Sequence, residues 1–464
     1  HSQTLAQNQN LSDEKVLFKL IEKVSIAEDR GDLDLVLKLS EETQEAAMQY
    51  GRPDKAAELK FRYYEAMLLK SAKSKNLEDQ QLYQDEAFDS LATHHFQLYQ
   101  RAKENNDFDN LFFEGLLTED LMFYSGDTLS SKTVLTHLIE VSRSPQYNYL
   151  EPNLLFHLTN YHLNQGVEKE GLIYNNLAEQ SARRNEKFID LAWILRLKAT
   201  LRDLDWPLRN SLFLESIELA KEYDLKRLEM ENLVLFGRLC PDLDLALKTL
   251  VRAEKIGKEI GSTYVLGAIN NALANIIYEK EGEFSSTYIN YLDKAKNYYR
   301  ESEFWYDYVE TLSYQYYSTL SSLEDKNPSQ PMQYGHPEVQ KIISEMEHAT
   351  EYVTEDALID TLFDQITGNH FLLGWHYIEK EDTTGIPINI NKLIPYQLKW
   401  YEHSRKSGHT KIMEKLEKSL GTNIRILQGD AFASYLFTRN KLLNQYGRLE
   451  VTYGEISHDT TAII

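Results

Sequence analysis

Histidine pairs are the residues of this chain whose spacing comes nearest to that of a metal site. His157 and His162 are five residues apart, so on a helix their side chains point about 140° away from each other. His370 and His376 are six residues apart. Two histidines that bind one ion from the same helix are usually four residues apart. The sequence therefore predicts no metal site.

Motifs for nucleophilic, nucleotide and calcium chemistry are absent or incomplete. The chain has no Gly-x-Gly-x-x-Gly, no Gly-Lys-Ser/Thr phosphate loop and no Gly-x-Ser-x-Gly elbow. Segments 107–109 and 242–244 read Asp-Phe-Asp and Asp-Leu-Asp, which lack the further ligands of a calcium loop and are typical of helix ends. The only cysteine, Cys240, stands at the end of an apolar segment, which predicts a buried and inert thiol. We predict no catalytic residue and no cofactor.

Tyrosine and asparagine offer binding chemistry instead. The chain holds 30 tyrosines, whose rings either pack between helices with the hydroxyl at the rim or line a binding groove. Asn271 and Asn275 are one helical turn apart, and Asn160 takes a comparable place earlier in the chain. Paired amides can hydrogen-bond an extended peptide backbone, although asparagine also serves packing and capping. We predict a ligand-binding face that includes Asn160, Asn271, Asn275 and Tyr278.

The charge balance excludes nucleic acid as a partner. The chain has 72 acidic and 50 basic residues, a net charge of −22, and no stripe of lysine and arginine, so it repels a phosphate backbone.

No run of eighteen apolar residues occurs, so the sequence predicts no membrane-spanning segment. The chain begins His-Ser-Gln without methionine, as a processed secreted protein or a trimmed chain does. We expect an extracytoplasmic rather than a cytoplasmic location.

Turns recur along the chain at a regular interval. From residue 126 onward, polar or glycine-containing turns follow one another roughly every 39 residues. A second series of turns lies halfway between the members of the first. Two interleaved series mean two helices in each repeat, which is the signature of an α-solenoid. The turns of the first series are 125–127, 165–166, 203–205, 242–244 and 281–283, and those of the second are 183–185, 222–224, 257–261 and 300–302.

Composition supports an all-α chain and divides it into segments. Only 10 prolines and 20 glycines occur among 464 residues, and strand-like alternation is almost absent. We predict an α-solenoid of about nine to ten helical hairpins. The predicted segments are 1–12, flexible; 13–125, divergent helical repeats; 126–325, regular repeats; 326–337, a proline-rich linker; 338–448, C-terminal repeats; and 449–464, an irregular tail.

The repeats resemble the tetratricopeptide repeat (TPR) superfamily. Residues 373–377 read Leu-Gly-Trp-His-Tyr, which matches the Leu-Gly-x-x-Tyr motif of the first TPR helix. Small residues of the motif lie where paired helices approach closely. Two further units carry the motif positions, one with Leu158, Thr159, His162, Gly166, Gly171 and Ala178, the other with Leu233, Val234, Gly237, Ala246 and Ala253.

The long period of the repeats is similar to that of one TPR subtype. A period near 39 exceeds the 34 of the family and looks like the longer-helix subtype found in the bacterial maltose-regulon activator. The resemblance covers 126–445 well and 13–125 more loosely. It implies a right-handed superhelix whose concave face is lined by the first helix of each pair. It implies no particular ligand.

Two classes of function follow. The favoured class is a non-catalytic scaffold that binds a protein or peptide in the concave groove, as the ligand-sensing region of a bacterial receptor or regulator. A small sugar is an alternative ligand. The competing class is an enzyme or enzyme-regulating protein with a site assembled across several repeats. Convergent titratable residues in a pocket would favour the enzyme, and an open groove of tyrosine and asparagine the scaffold.

The C-terminal repeats also predict an association. The last predicted helix, 431–446, has apolar residues on more than one face, whereas a terminal repeat of a solenoid is normally polar outside. We expect this helix to pack on the tail or on a second chain, which would form a homodimer through the C-terminal repeats.

Overall fold

The structure of the protein, a computed structural model, describes residues 2–72, 77–326, 336–353, 356–379 and 385–427. Within these ranges the chain forms 19 α-helices and no strand. Nine successive pairs and one further helix confirm the predicted all-α solenoid of nine to ten hairpins. The helices are α1 (Ser2–Asp29), α2 (Leu33–Gln49), α3 (Pro53–Ala72), α4 (Leu77–Asn105), α5 (Phe108–Tyr124), α6 (Thr128–Ser142), α7 (Glu151–Asn164), α8 (Glu168–Arg184), α9 (Phe188–Thr200), α10 (Trp206–Glu222), α11 (Lys226–Leu239), α12 (Leu243–Ile260), α13 (Thr263–Glu281), α14 (Ser286–Glu301), α15 (Trp305–Lys326), α16 (Pro337–Ala349), α17 (Asp356–Glu379), α18 (Gly385–Lys406) and α19 (Thr410–Leu427).

Both series of predicted turns coincide with helix ends, and acidic residues in the turns cap the helices that follow. The Asp127 carboxylate accepts a hydrogen bond from the Ser130 amide at 3.1 Å. The Asp205 carboxylate does the same for Leu208 at 3.1 Å. Asp242 is the equivalent cap of α12. These acidic residues thus satisfy amides that the first helical turn leaves without a partner.

Close helix packing explains why small residues recur in the repeats. A methyl group added at Gly171 would lie 2.7 Å from Leu163, and one added at Gly237 would lie 2.6 Å from Leu250. Ala178 is fully buried where α8 packs on its neighbours. The TPR-like positions of these two units therefore hold paired helices at the distance that only a small side chain permits.

The described chain divides into two compact units. Unit 1 comprises the described residues up to 280 together with 297–304, and unit 2 comprises 281–296 and the described residues from 305 onward. In unit 2, the buried Lys296 ammonium donates to Gln315 at 3.1 Å and to Glu345 at 2.5 Å. Its helices are further joined by a hydrogen bond from the Trp400 indole to Asp360 at 2.7 Å.

The first hairpin of unit 1 packs back on helices that lie some 200 residues further along the chain. Buried apolar side chains of α1 to α3 and of α9 to α11 form one cluster. The Asp29 carboxylate accepts two hydrogen bonds from Arg227, both at 3.0 Å, and one from Ser262. The Glu22 carboxylate accepts from the Leu228 amide at 3.0 Å. These contacts bring the first and the later helices of unit 1 together around a space that is open on one side.

The predicted segments at the ends of the chain lie partly outside the described residues. Helix α1 begins at Ser2, within the segment 1–12 that was predicted to be flexible. Residues 2–12 contain no proline or glycine, so nothing in them opposes a helix. The tail, the apolar helix 431–446 and residues 327–335 of the linker lie outside the described ranges. The six-segment division and the homodimer stay predictions.

Candidate functional site

The interior of unit 1 is a cavity of about 650 Å³. Its walls come from α1, α3, α5, α7, α9 and α11, which are the first helices of six successive pairs. The resemblance to TPR proteins implies this assignment of the inner face. The aromatic side chains of the wall are Phe18, Phe61, Tyr124, Phe156 and Trp193, and the charged ones are Lys55, Glu58, Arg62, Glu65, Asp120, His157, Asp190 and Arg196.

Part of the cavity wall is a buried network of ion pairs. The Arg52 guanidinium donates to both carboxylate oxygens of Asp54, at 2.9 and 2.8 Å, and to Asp190 at 3.1 Å. Burial lowers the pKa of Arg52, but the Asp190 and Asp54 carboxylates outweigh burial and raise it well above its ordinary value. Lys55 in turn donates to Glu58 at 2.7 Å and to the Asn153 side chain at 3.0 Å. These contacts join α3, α7 and α9 across the cavity wall.

Two other carboxyl groups face the cavity with less compensation from cations. Burial raises the pKa of Glu65 to about 7, and the Glu28 carboxylate adds to this effect more than Arg62 opposes it. Burial also raises the pKa of Asp120 well above its ordinary value, and Glu119 adds to the effect. The cavity therefore has an acidic side, on α3 and α5, where a positive charge would be stabilised.

His157, on α7, lies between carboxylates from two other helices. Its Nδ1 is 3.3 Å from an oxygen of Glu119 and 3.8 Å from one of Asp120. Its Nε2 is 3.5 Å from an oxygen of Glu58. Burial lowers the pKa of the imidazole, but hydrogen bonds to Glu119 and Glu58 raise it well above its ordinary value. Carboxylates thus face both ring nitrogens and favour the charged form of the imidazole.

The structure brings only one of the four predicted binding residues to this cavity. Asn160 lies on the wall, one turn beyond Phe156. Asn271, Asn275 and Tyr278, all on α13, are not among the lining residues. The Asn271 amide donates to the Tyr299 hydroxyl at 3.4 Å, and Asn275 is exposed. A role of these three residues in ligand binding stays a prediction.

The residues that sequence reasoning missed are the charged groups of the wall. Glu58, Asp120 and His157 belong to no local motif, because each comes from a different helix. Glu119 and His157 are 38 residues apart, which is close to one repeat. A sequence search for acidic residues and histidines spaced by one repeat, on the first helices of successive pairs, would therefore have indicated this group.

The site belongs to a helical-repeat protein with TPR-like packing, and comparisons with known proteins do not narrow that class. No protein-family model matches the chain. No curated protein matches it either.

Three solved structures align with the chain at low similarity. A signal transduction ATPase with numerous domains (STAND), which carries a tetratricopeptide repeat sensor and comes from Pyrococcus horikoshii, is 11% identical with a TM-score of 0.46. The alignment covers 81% of this chain and 55% of that one, so the chain spans about half the length of the STAND protein. A Rap protein complexed with Competence and Sporulation Factor is 10% identical over 75% of this chain and 99% of its own, with a TM-score of 0.36. A circular tandem repeat protein is 13% identical over 97% and 98%, with a TM-score of 0.25.

TM-scores below 0.5 do not establish a common fold. The fold class therefore depends on the helices and the close packing of this chain itself.

Proposed function

We propose that this chain is a non-catalytic scaffold that binds a protein or peptide segment in the cavity of unit 1. The observation that carries the proposal is the cavity itself, walled by six first helices and about 650 Å³ in volume. Ligand sites in proteins commonly have volumes of roughly 300 to 1,000 Å³ and combine apolar walls with a few polar groups. In this cavity the apolar part of the wall includes Phe18, Phe61 and Trp193.

The charges of the cavity favour a segment with a basic side chain. Glu65 is half-buried and its pKa is raised to about 7, because burial is not offset by a paired cation. A lysine or arginine of the ligand beside Glu65 would restore the charged carboxylate and gain a charge-assisted hydrogen bond. The net charge of −22 also attracts a basic segment at long range and repels an acidic one.

The wider role follows from the sequence resemblance alone. The longer repeat period supports a ligand-sensing region of a bacterial receptor or regulator, similar to the maltose-type subtype, with an extracytoplasmic location. A small sugar is the alternative ligand within this proposal, because aromatic rings such as Trp193 also suit sugar faces.

A matched pair of peptide libraries tests the proposal. Fluorescein-labelled hexapeptides of random sequence carry either one fixed lysine or one fixed glutamate, and binding is measured by fluorescence polarisation. We expect the lysine set to bind and the glutamate set not to bind. Glu65→Gln should weaken binding about tenfold, which corresponds to roughly 1.4 kcal/mol. Glu41→Gln, the same chemical change at an exposed position of α2, should leave binding unchanged.

Two outcomes would contradict the cavity as the binding site. Equal binding of both libraries would remove the argument from charge. Loss of binding in Asn275→Ala, with no effect of Glu65→Gln, would instead place the ligand on α13, where the sequence predicts it.

A second candidate is an enzyme whose site is assembled across several repeats. The observation that favours it is the convergence of Glu58, Asp120 and His157 on one cavity, since titratable groups with shifted pKa values are typical of active sites. An imidazolium beside a carboxyl of raised pKa could serve as an acid and base pair. Turnover of a chromogenic ester, phosphate or glycoside that His157→Gln abolishes would establish this candidate and displace the scaffold.

A further inference from the structure

We propose that Glu119, Asp120 and His157 bind one divalent transition-metal ion, such as Mn²⁺ or Zn²⁺, in the wall of the unit 1 cavity. One oxygen of each carboxylate and Nδ1 of the imidazole lie within 4.8 Å of one another. This inference goes beyond the proposed function and does not depend on a peptide ligand.

Both distances from the imidazole nitrogen to the carboxylate oxygens are close to those of a metal coordination sphere. For bonds of about 2.1 Å at tetrahedral angles, neighbouring ligand atoms are roughly 3.4 Å apart. Nδ1 of His157 is 3.3 Å from Glu119 and 3.8 Å from Asp120. The Glu119 and Asp120 oxygens lie within 4.8 Å of each other, so an ion between the three atoms would draw these two carboxylates together around His157. One imidazole with two carboxylates is a donor set that suits Mn²⁺, Fe²⁺ and Zn²⁺.

The groups behind the three ligands are those that support a metal site. The other nitrogen of His157 faces Glu58 at 3.5 Å, and a histidine that binds a metal through one nitrogen commonly donates from the other to a carboxylate. The second oxygen of Glu119 accepts a hydrogen bond from the Ser131 hydroxyl at 3.0 Å. Both contacts fix the orientation of a ligand side chain, and they come from α3 and α6, outside the cluster.

One of the three proposed ligands is buried and the other two face the cavity, so the site is accessible to an ion from the cavity. The Glu119 side chain is 5% exposed, while Asp120 and His157 line the cavity and are 20% and 15% exposed. An ion can enter from the cavity and keep water on that side, so the site has three protein ligands and open positions.

The charge of the cluster also favours a cation. Three carboxylates, from Glu58, Glu119 and Asp120, surround a single imidazole. A divalent ion would supply two positive charges among these carboxylates, and it would compete with protons for the same ligand atoms.

Calorimetric titration of the full chain, first freed of metal by chelation, tests this site with Mn²⁺ and Zn²⁺ as separate probes and with no peptide present. We expect one ion per chain. We also expect the apparent affinity to rise with pH, because the ion competes with protons for its ligand atoms. His157→Gln and Glu119→Gln should each reduce affinity at least a hundredfold, and Glu58→Gln about ten- to a hundredfold, as supporting groups of metal ligands do.

His162→Gln is the matched control, since His162 lies on the same helix but outside the cluster. It should bind the ion as tightly as the wild type does. No heat of binding at millimolar ion, or binding that survives both His157→Gln and Glu119→Gln, would overturn the proposal and leave His157 as an imidazolium in an ion-pair network. A Mn²⁺ spectrum in electron paramagnetic resonance that His157→Gln leaves unchanged would do the same. Because no peptide is used, a negative result leaves the scaffold proposal unaffected.

Discussion

The two units of this protein use the same helical repeat in different ways. In unit 1, the Asp29–Arg227 ion pair joins residues 198 positions apart, and the helices enclose a cavity. In unit 2, the hydrogen bonds described here join residues up to 53 positions apart, as between the Tyr316 hydroxyl and the Asn369 side chain. A repeat stack normally contacts only its neighbours. In unit 1 a contact between repeats that are distant in sequence accompanies the cavity, and the hydrogen bonds of unit 2 described above have no counterpart of that length.

The largest expected effect comes from removing the buried cation of unit 1. Arg52→Met should lower the free energy of unfolding by about 3 to 5 kcal/mol, because the buried Asp54 and Asp190 would lose their main cation and keep only Lys55, which is 4.0 Å from Asp190. Hydrogen exchange measured by mass spectrometry should show faster exchange in peptides of α3 and α9.

Lys296→Met is the corresponding change in unit 2. The Lys296 side chain is equally buried, but its partners Glu345 and Asp293 are 29% and 40% exposed and keep their contact with water. We therefore expect a smaller loss, confined to peptides of unit 2. Equal losses for both variants, or exchange in unit 2 that rises in Arg52→Met, would contradict the contrast between the two units.

Replacing a helical glycine with alanine should change the free energy of unfolding in opposite directions in the two units. A methyl group at Gly267 would lie 2.6 to 2.9 Å from three ring atoms of the buried Tyr299, so Gly267→Ala should destabilise unit 1 by about 1 to 3 kcal/mol. Gly368, inside α17, has nothing within 4 Å of such a methyl group. Gly368→Ala should therefore stabilise unit 2 by about 0.5 to 1 kcal/mol. Urea unfolding followed by hydrogen exchange of α13 and α17 peptides measures both changes in stability. Stabilisation by Gly267→Ala would contradict the close packing of Gly267 on Tyr299.

The acidic side of the cavity should make the stability of unit 1 depend on pH. The folded protein holds the Glu65 proton up to about pH 7, whereas the unfolded chain releases it near the ordinary value of 4.5. The folded state binds more protons between these values, so the contribution of Glu65 to stability falls as pH rises from about 4.5 to about 7. The melting temperature of Glu65→Gln should decline less over this range than that of the wild type. Glu41→Gln should follow the wild type, and parallel curves for all three proteins would refute a buried, poorly compensated Glu65.

Local rules of sequence accounted for the helices and turns, but not for the cavity. The turn at 242–244 was predictable because Asp242 caps α12 through contacts within three residues. The position of Gly237 was predictable because its packing partner, Leu250, belongs to the same hairpin. The closing contact of Asp29 with Arg227 carries no local signal, since each residue is an ordinary charge on an ordinary helix. Without that contact the inner face reads as an open groove, so sequence reasoning leads to the tyrosines and asparagines and cannot bring Glu65 and His157 to one cavity.

The smallest expected effect concerns two ion pairs that join the first hairpin to later helices, Lys19–Asp224 and Asp29–Arg227, which differ in how exposed they are. Lys19 and Asp224 lie 2.5 Å apart, but their side chains are 41% and 52% exposed, so Lys19→Met should cost about 0.5 kcal/mol or less and lose that effect in high salt. Asp29→Asn removes a charge that is 5% exposed and faces the partly buried Arg227, which keeps Glu231 as its other partner, and should cost more than Lys19→Met. Differential exchange of α1 peptides in the two variants measures this difference. If Lys19→Met opened α1 as far as Asp29→Asn, the closure of unit 1 would depend on surface charge, and the cavity would open with rising ionic strength.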